Sequence, residues 1–239
     1  LFGTMKSGGL LKNAFRTNTK HVGNTNVIHA GDTLYALWEG GMPYELDPLT
    51  LKNKKGPGSD GETNLDGLLT KNFSAHLRYD PKKDVYVNFA VDFDPSTGTT
   101  ISLYEVDATT FRSTKTNVPS FVSEGPGLVH DFIISDNYCL FNINKCDLNQ
   151  KNALKALIGK AGFASCIDAD LTVDNTSIVI IPRSLLDEEG DDDVNTEINP
   201  WSDEEDRIMV VPVPNHFNFH FGNCFEDGLG KVIFDTVQT

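Results

Sequence analysis

Apolar and polar side chains alternate with a period of two through most of this chain, the sign of strands with one face buried. From Val85 to Phe93 every odd position is apolar while the even ones are mixed. Thr33 to Glu39 repeats the pattern, with Leu34, Ala36 and Trp38 on one face and Glu39 on the other. The same reading places strands at 100–106, 137–143, 176–182, 207–213 and 231–237. Between them stand His29-Ala30-Gly31-Asp32, Asp47-Pro48, Asp80-Pro81, Asp94-Pro95-Ser96-Thr97-Gly98 and Ser135-Asp136-Asn137, mostly residues whose dihedral preferences suit tight turns. Only Leu148 to Ala161 carries a helical pattern, built on Leu154, Ala156, Leu157 and Ile158, with Gly159 and Gly162 as stops. Short strands separated by frequent turns predict an all-β sandwich, barrel or propeller. Without a clean internal repeat, a propeller here would have divergent blades.

The alternation breaks at residues 187–206, which run from Asp187-Glu188-Glu189-Gly190-Asp191-Asp192-Asp193 to Ser202-Asp203-Glu204-Glu205-Asp206. Such a run reads as a solvated acidic loop inserted between two strands. An EF-hand is set aside, because the Gly at loop position 6 and the Glu at position 12 are out of register and flanking helices are missing. The loop holds 11 of the 34 acidic residues, so much of the formal net charge of −14 is local. A chain of that charge repels phosphate backbones and anionic lipid, which argues against nucleic-acid binding. No apolar run approaches the ~18 residues of a membrane-spanning helix, which leaves peripheral membrane contact to parts outside this sequence. A length of 239 residues accommodates one large all-β unit. The cysteines Cys139, Cys146, Cys166 and Cys224 fall in no zinc or redox spacing. They read as reduced, mostly buried thiols, which favours an intracellular setting, the cytoplasm or an organelle such as a plastid.

Candidate chemistry narrows to the histidines, since no HExxH, nucleophile elbow, Walker A or dinucleotide fingerprint occurs. No catalytic side chain beyond a metal site is indicated, and no nucleotide cofactor. The six histidines are His21, His29, His76, His130, His216 and His220. His76 and His130 each sit at the edge of a predicted β unit, where side chains from successive units converge in a propeller. In His216-Phe217-Asn218-Phe219-His220-Phe221-Gly222-Asn223, parity puts the imidazoles on one face and the phenyl rings on the other. On an extended strand His216 and His220 lie about 13 Å apart at ~3.3 Å per residue, too far to share one ion. At most one of them is a ligand, and periodicity does not say which. The same parity assigns Phe219 and Phe221 to packing between sheets.

Several strings resemble the carotenoid cleavage dioxygenase family. They are Asn24-Thr25-Asn26-Val27-Ile28, Leu34-Tyr35-Ala36-Leu37-Trp38-Glu39-Gly40-Gly41-Met42-Pro43-Tyr44-Glu45-Leu46-Asp47-Pro48, Ala75-His76, Val129-His130-Asp131-Phe132, Ile181-Pro182-Arg183 and Phe219-His220-Phe221-Gly222-Asn223 with Glu226-Asp227. They occur in the family's order from about residue 14 to 239. The resemblance implies a seven-bladed β-propeller, of which residues 1–239 form roughly the middle blades of a single domain, with Fe(II) on the axis. It also implies four iron-binding histidines from different blades, of which His76, His130 and His220 match three by motif. Glu39 matches a carboxylate that orients one of them. His220 carries the family's His-x-x-Asn pattern, whereas His21, His29 and His216 match no ligand. The fourth histidine belongs near the family's C-terminus, beyond Thr239, so the chain is expected to be a fragment, a partial gene model or a piece of a longer protein. The family usually follows Ala-His with Pro where this chain has Leu77.

The implied function is Fe(II)-dependent oxidative cleavage of a C=C bond in a carotenoid or apocarotenoid to carbonyl products, with O₂ as co-substrate. Two rivals stand beside it. One is cleavage of a phenylpropanoid-derived stilbene within the same family; the other is a catalytically silent propeller fragment or binding module.

Overall fold

The computed structural model describes residues 21–54, 60–70, 72–94, 96–113, 115, 118–157, 163–168, 176–187 and 208–238. Its strands form a succession of antiparallel sheets laid down in chain order. The first comprises β1 (Asn26–Ala30), β2 (Thr33–Leu37) and β3 (Tyr44–Leu46). The second is β4 (Arg78–Asp80), β5 (Val85–Asp94), β6 (Gly98–Asp107) and β7 (Ser120–Ser123), in that order. In the third, β8 (Gly127–Leu128) and β9 (Phe132–Ile134) both pair with β10 (Tyr138–Lys145). Beyond β10 lie β13 (Ser177–Pro182) and β14 (Met209–Pro212). The small ribbon β11 (Asp147–Leu148) and β12 (Ile167–Asp168) stands apart. The last sheet pairs β15 (Asn218–Glu226) with β16 (Val232–Gln238).

All the long strands expected from periodicity are present, most of them trimmed or extended by a residue or two. The helix differs: α1 spans Gln150–Leu157, and Leu148 belongs to β11. The boundary is set by Asn149, whose side-chain oxygen accepts from the Asn152 N–H at 3.0 Å and caps the first turn. Gly159 and Gly162, expected as its stops, lie outside the described residues, as does the acidic segment after Asp187. Asp187 itself accepts from Lys115 Nζ at 2.5 Å.

Alternation along the strands does not mean one wet face. On β5, Val85, Val87 and Phe89 enter a core shared with the third sheet, while Ala90 and Tyr86 join a core shared with the first. The same odd–even division holds on β6, where Ile101 and Leu103 part from Tyr104 and Val106. On β10 and β13, Cys139, Phe141, Ile143, Val179 and Ile181 face back, whereas Leu140 and Ile178 face the last sheet with Phe221. Each inner sheet is thus a partition buried on both sides. A sheet stacked between two others has no solvent face to reserve for polar residues, so the alternation sorts apolar residues between two cores.

Gly98 shows how tightly the hairpin of β5 and β6 is closed. Its φ is +110°, and a Cβ there would lie 2.2 Å from the Ser123 carbonyl oxygen, so only glycine fits. Successive antiparallel sheets packed face to face through shared cores are the architecture of a β-propeller.

Candidate metal centre

Three imidazoles arrive at one point from three different sheets. His76 precedes β4, His130 precedes β9, and His220 lies in β15; one ring nitrogen from each falls within 4.8 Å of the others. Nε2 of His76 and Nε2 of His130 are 3.0 Å apart, and the ring of His220 stands 5.1 Å from each of theirs. A metal–imidazole bond of about 2.1 Å places two ligands of one ion no more than ~4.2 Å apart, so this cluster is close to the size an ion requires.

Each histidine is held by side chains from elsewhere. The segment before His76 is clamped by two asparagines: Asn88 donates to the Ser74 carbonyl at 2.7 Å and Asn26 to the Ala75 carbonyl at 2.8 Å. Ser74 Oγ accepts from the His76 N–H at 3.1 Å. Burial lowers the affinity of the His76 imidazole for protons; Asp131 opposes this, and the His130 and His220 rings reinforce it, leaving its pKa below the ordinary value. A neutral ring is the form that ligates a metal.

His130 Nδ1 donates to Glu39 Oε1 at 2.9 Å, which fixes the tautomer with a lone pair on Nε2. Glu39 is delivered by the turn after β2, where the Gly41 N–H bonds the Trp38 carbonyl at 3.4 Å and Trp38 bridges Phe73. At Gly40 a Cβ would stand 2.7 Å from the Trp38 ring, so the Trp-Glu-Gly-Gly string is what lets this turn fold so tightly.

His220 owes its position to irregularity. β15 pairs with β16 through two register shifts, one between Asn218 and Phe221 and one between Phe221 and Cys224. Asn144 fastens the start of β15, accepting from the Asn218 N–H and donating to its carbonyl, both at 3.0 Å. Strict parity fails across such bulges. Phe221 is buried among the last two sheets as expected, but Phe219 is 39% exposed and sets its ring edge-on to His130 at 5.2 Å. The assignment of Phe219 to packing between sheets is thus corrected: it borders the histidine cluster.

His216 lies outside β15, where its Nδ1 donates to the Pro214 carbonyl at 2.8 Å. His21 donates to the Met42 carbonyl at 2.6 Å and packs on Trp38 and Tyr44, while His29 is exposed on β1. None of the three joins the cluster, among the described residues. Sequence reasoning gave no part to Asp131, which is 4% exposed and takes both oxygens to Arg78 Nη2 at 2.8 and 2.7 Å. The signal was in plain view, since Asp131 directly follows a candidate ligand in the His-Asp-Phe string.

The fold and the site together define a β-propeller in which histidines from successive sheets gather at one point. The family model described as retinal pigment epithelial membrane protein matches residues 1–239, and the chain belongs to that family, the carotenoid cleavage oxygenases. The apocarotenoid-15,15'-oxygenase of Synechocystis sp. is 30% identical over 99% of this chain and 43% of its own length. The lignostilbene-alpha,beta-dioxygenase isozyme III of Sphingomonas paucimobilis is 31% identical over 90% of the chain and 37% of its own. A cobalt-substituted form of the Synechocystis apocarotenoid oxygenase superposes with a TM-score of 0.75 at 30% identity, covering 99% of this chain and 44% of that one. The propeller is accordingly the seven-bladed one of these oxygenases, and the chain spans about two fifths of the length of these curated relatives. No helix among the described residues is long and apolar enough to cross a membrane.

Proposed function

We propose that the protein carrying this chain is a non-haem Fe(II) dioxygenase that cleaves a C=C bond of a carotenoid or apocarotenoid to aldehyde or ketone products. The observation that carries the reading is the convergence of His76, His130 and His220 from three sheets, with Glu39 on the far nitrogen of His130. Neutral imidazoles suit iron and leave its charge uncompensated. Bound Fe(II) would supply O₂ activation beside the alkene.

The chain's own residues would do the rest. His76, His130 and His220 hold the ion, and Glu39 keeps the Nε2 lone pair of His130 aimed inward. A fourth histidine would come from outside these 239 residues. Phe219, half in solvent beside the rings, offers an apolar wall to a polyene, which needs a pocket of aliphatic and aromatic surface. The lignostilbene relative favours a second substrate class, a phenylpropanoid-derived stilbene, cleaved by the same centre.

The test is metal analysis of the full-length protein together with product detection on an apocarotenoid and on a lignostilbene. About one iron per chain is expected, lost in His76→Ala, His130→Ala and His220→Ala, with aldehyde formed from the polyene. Retention of iron in all three variants would remove the reading; cleavage of the stilbene alone would select the second substrate.

A further inference from the structure

The strand that follows His76 makes three parallel contacts with the third sheet. Arg78 and Asp80 leave the same face of β4, and His76 stands two residues before Arg78. His76 meets His130, Arg78 forks onto Asp131, and Asp80 Oδ2 accepts from Arg183 Nη2 at 2.6 Å. Arg78 Nε also donates to the Phe132 carbonyl at 2.7 Å, so Nε and Nη2 of the guanidinium grip residues 131 and 132. Two candidate ligands are therefore fixed to one another through a charge-assisted contact, Arg78 Nη2 on both Asp131 oxygens, that lies two residues beyond one and one residue beyond the other.

Asp131 also reaches the third ligand strand. Its Oδ2 accepts from the Phe221 N–H at 3.3 Å and lies 3.4 Å from His220 Nδ1, while Oδ1 accepts from the Phe132 N–H at 2.8 Å. Resting on the reading of the cluster as a metal centre, we propose that Asp131, held by Arg78, is its positioning residue: one buried carboxylate keys the segments of His76, His130 and His220 together. Asp131 is not itself a ligand, because both of its oxygens are occupied by N–H donors. The Arg78 charge balances that of the carboxylate, so the contact with His220 is a matter of placement. Glu39 and His130 are closer, at 2.9 Å.

The Asp80–Arg183 pair joins the same two sheets without touching a histidine, which makes it the natural control. Full-length protein is loaded with cobalt(II), and affinity by chelator competition is read beside the visible ligand-field bands and the melting of the metal-free form. Asp131→Asn is expected to weaken cobalt binding about ten- to a hundred-fold and to shift the bands. Asp80→Asn is expected to lower melting while leaving affinity and bands as they are. Arg78→Lys keeps the charge but loses the second donor, Nε on the Phe132 carbonyl, and serves if Asp131→Asn does not fold; it should shift the bands in the same sense. Wild-type affinity and bands in Asp131→Asn or in Arg78→Lys, with melting alone reduced, would overturn the positioning role. Unchanged cobalt binding in His220→Ala as well would overturn the metal reading, and this proposal with it.

Discussion

Glu39 Oε1 lies 2.9 Å from Nδ1 of His130, a contact that joins the turn after β2 to the entry of the third sheet. A carboxylate on the outer nitrogen of an imidazole fixes which nitrogen carries the proton and how the ring is turned. Glu39→Gln keeps an acceptor oxygen but not the charge, and should reduce metal affinity about tenfold. Glu39→Ala removes the acceptor and should approach the hundredfold end of the usual range. Equal affinity in the two variants would show that charge, not the hydrogen bond, is what matters here. Chelator competition on the full-length protein separates the cases.

His216→Ala should leave metal content intact. The ring bonds only the Pro214 carbonyl among the described contacts, so its loss should cost about 1 kcal/mol or less of stability. Metal content as low as in His220→Ala would mean that His216 takes part in the site.

Asp80 and Arg183 form an ion pair whose side chains are 8% and 3% exposed. Burial alone would raise the Asp80 carboxyl, but the Arg183 guanidinium and the Lys82 and Lys83 N–H groups outweigh it and hold the pKa below the usual carboxylate value. The folded value is thus the lower one. Its contribution to stability is complete above the unfolded pKa of about 3.9 and disappears as pH falls through the folded value. Asp80→Asn should therefore destabilise by up to about 3–5 kcal/mol at pH 7, where it takes the nearest carboxylate from a buried guanidinium and leaves it Glu105 at 3.9 Å and the Ser135 and Asp136 carbonyls. Urea melts at pH 7 and pH 3 should show that gap narrowing in acid; a constant gap would assign it to shape rather than charge.

Phe141 is fully buried between Phe132, stacked at 5.2 Å, and Phe89, edge-on at 5.2 Å. Phe141→Ala should cost about 3–5 kcal/mol by denaturant melting. Phe141→Leu should cost clearly less. Identical losses would mean that the neighbouring rings collapse into the space.

The sequence was most readable where a strand is long and regular. Val85–Asp94 and Gly98–Asp107 pair through ten residues each, and their alternation needs no tertiary knowledge to be seen. Strands such as β4 or β8, two or three residues long, carry too few positions for any period to register. The histidines were legible as motif strings, and Glu39 with them. Asp131 and Arg78 were present in the quoted strings or beside them, yet the bond between them depends on two sheets facing each other. Phe219 went astray because a bulge shifts phase, and nothing local in His216 to Glu226 announces one. The double burial of β5 was hidden for a related reason: alternation reports that two faces differ, not that one is wet.

That double burial has a genetic consequence. Tyr86 and Val87 are neighbours in the chain but belong to different cores, whereas Phe89 and Phe141 are far apart in the chain and share one. Substitutions at adjacent positions of β5 should combine additively, and substitutions at Phe89 and Phe141 should not. Compensating changes in related proteins would then fall into odd and even classes along each inner strand, with each class answering to a different neighbouring blade.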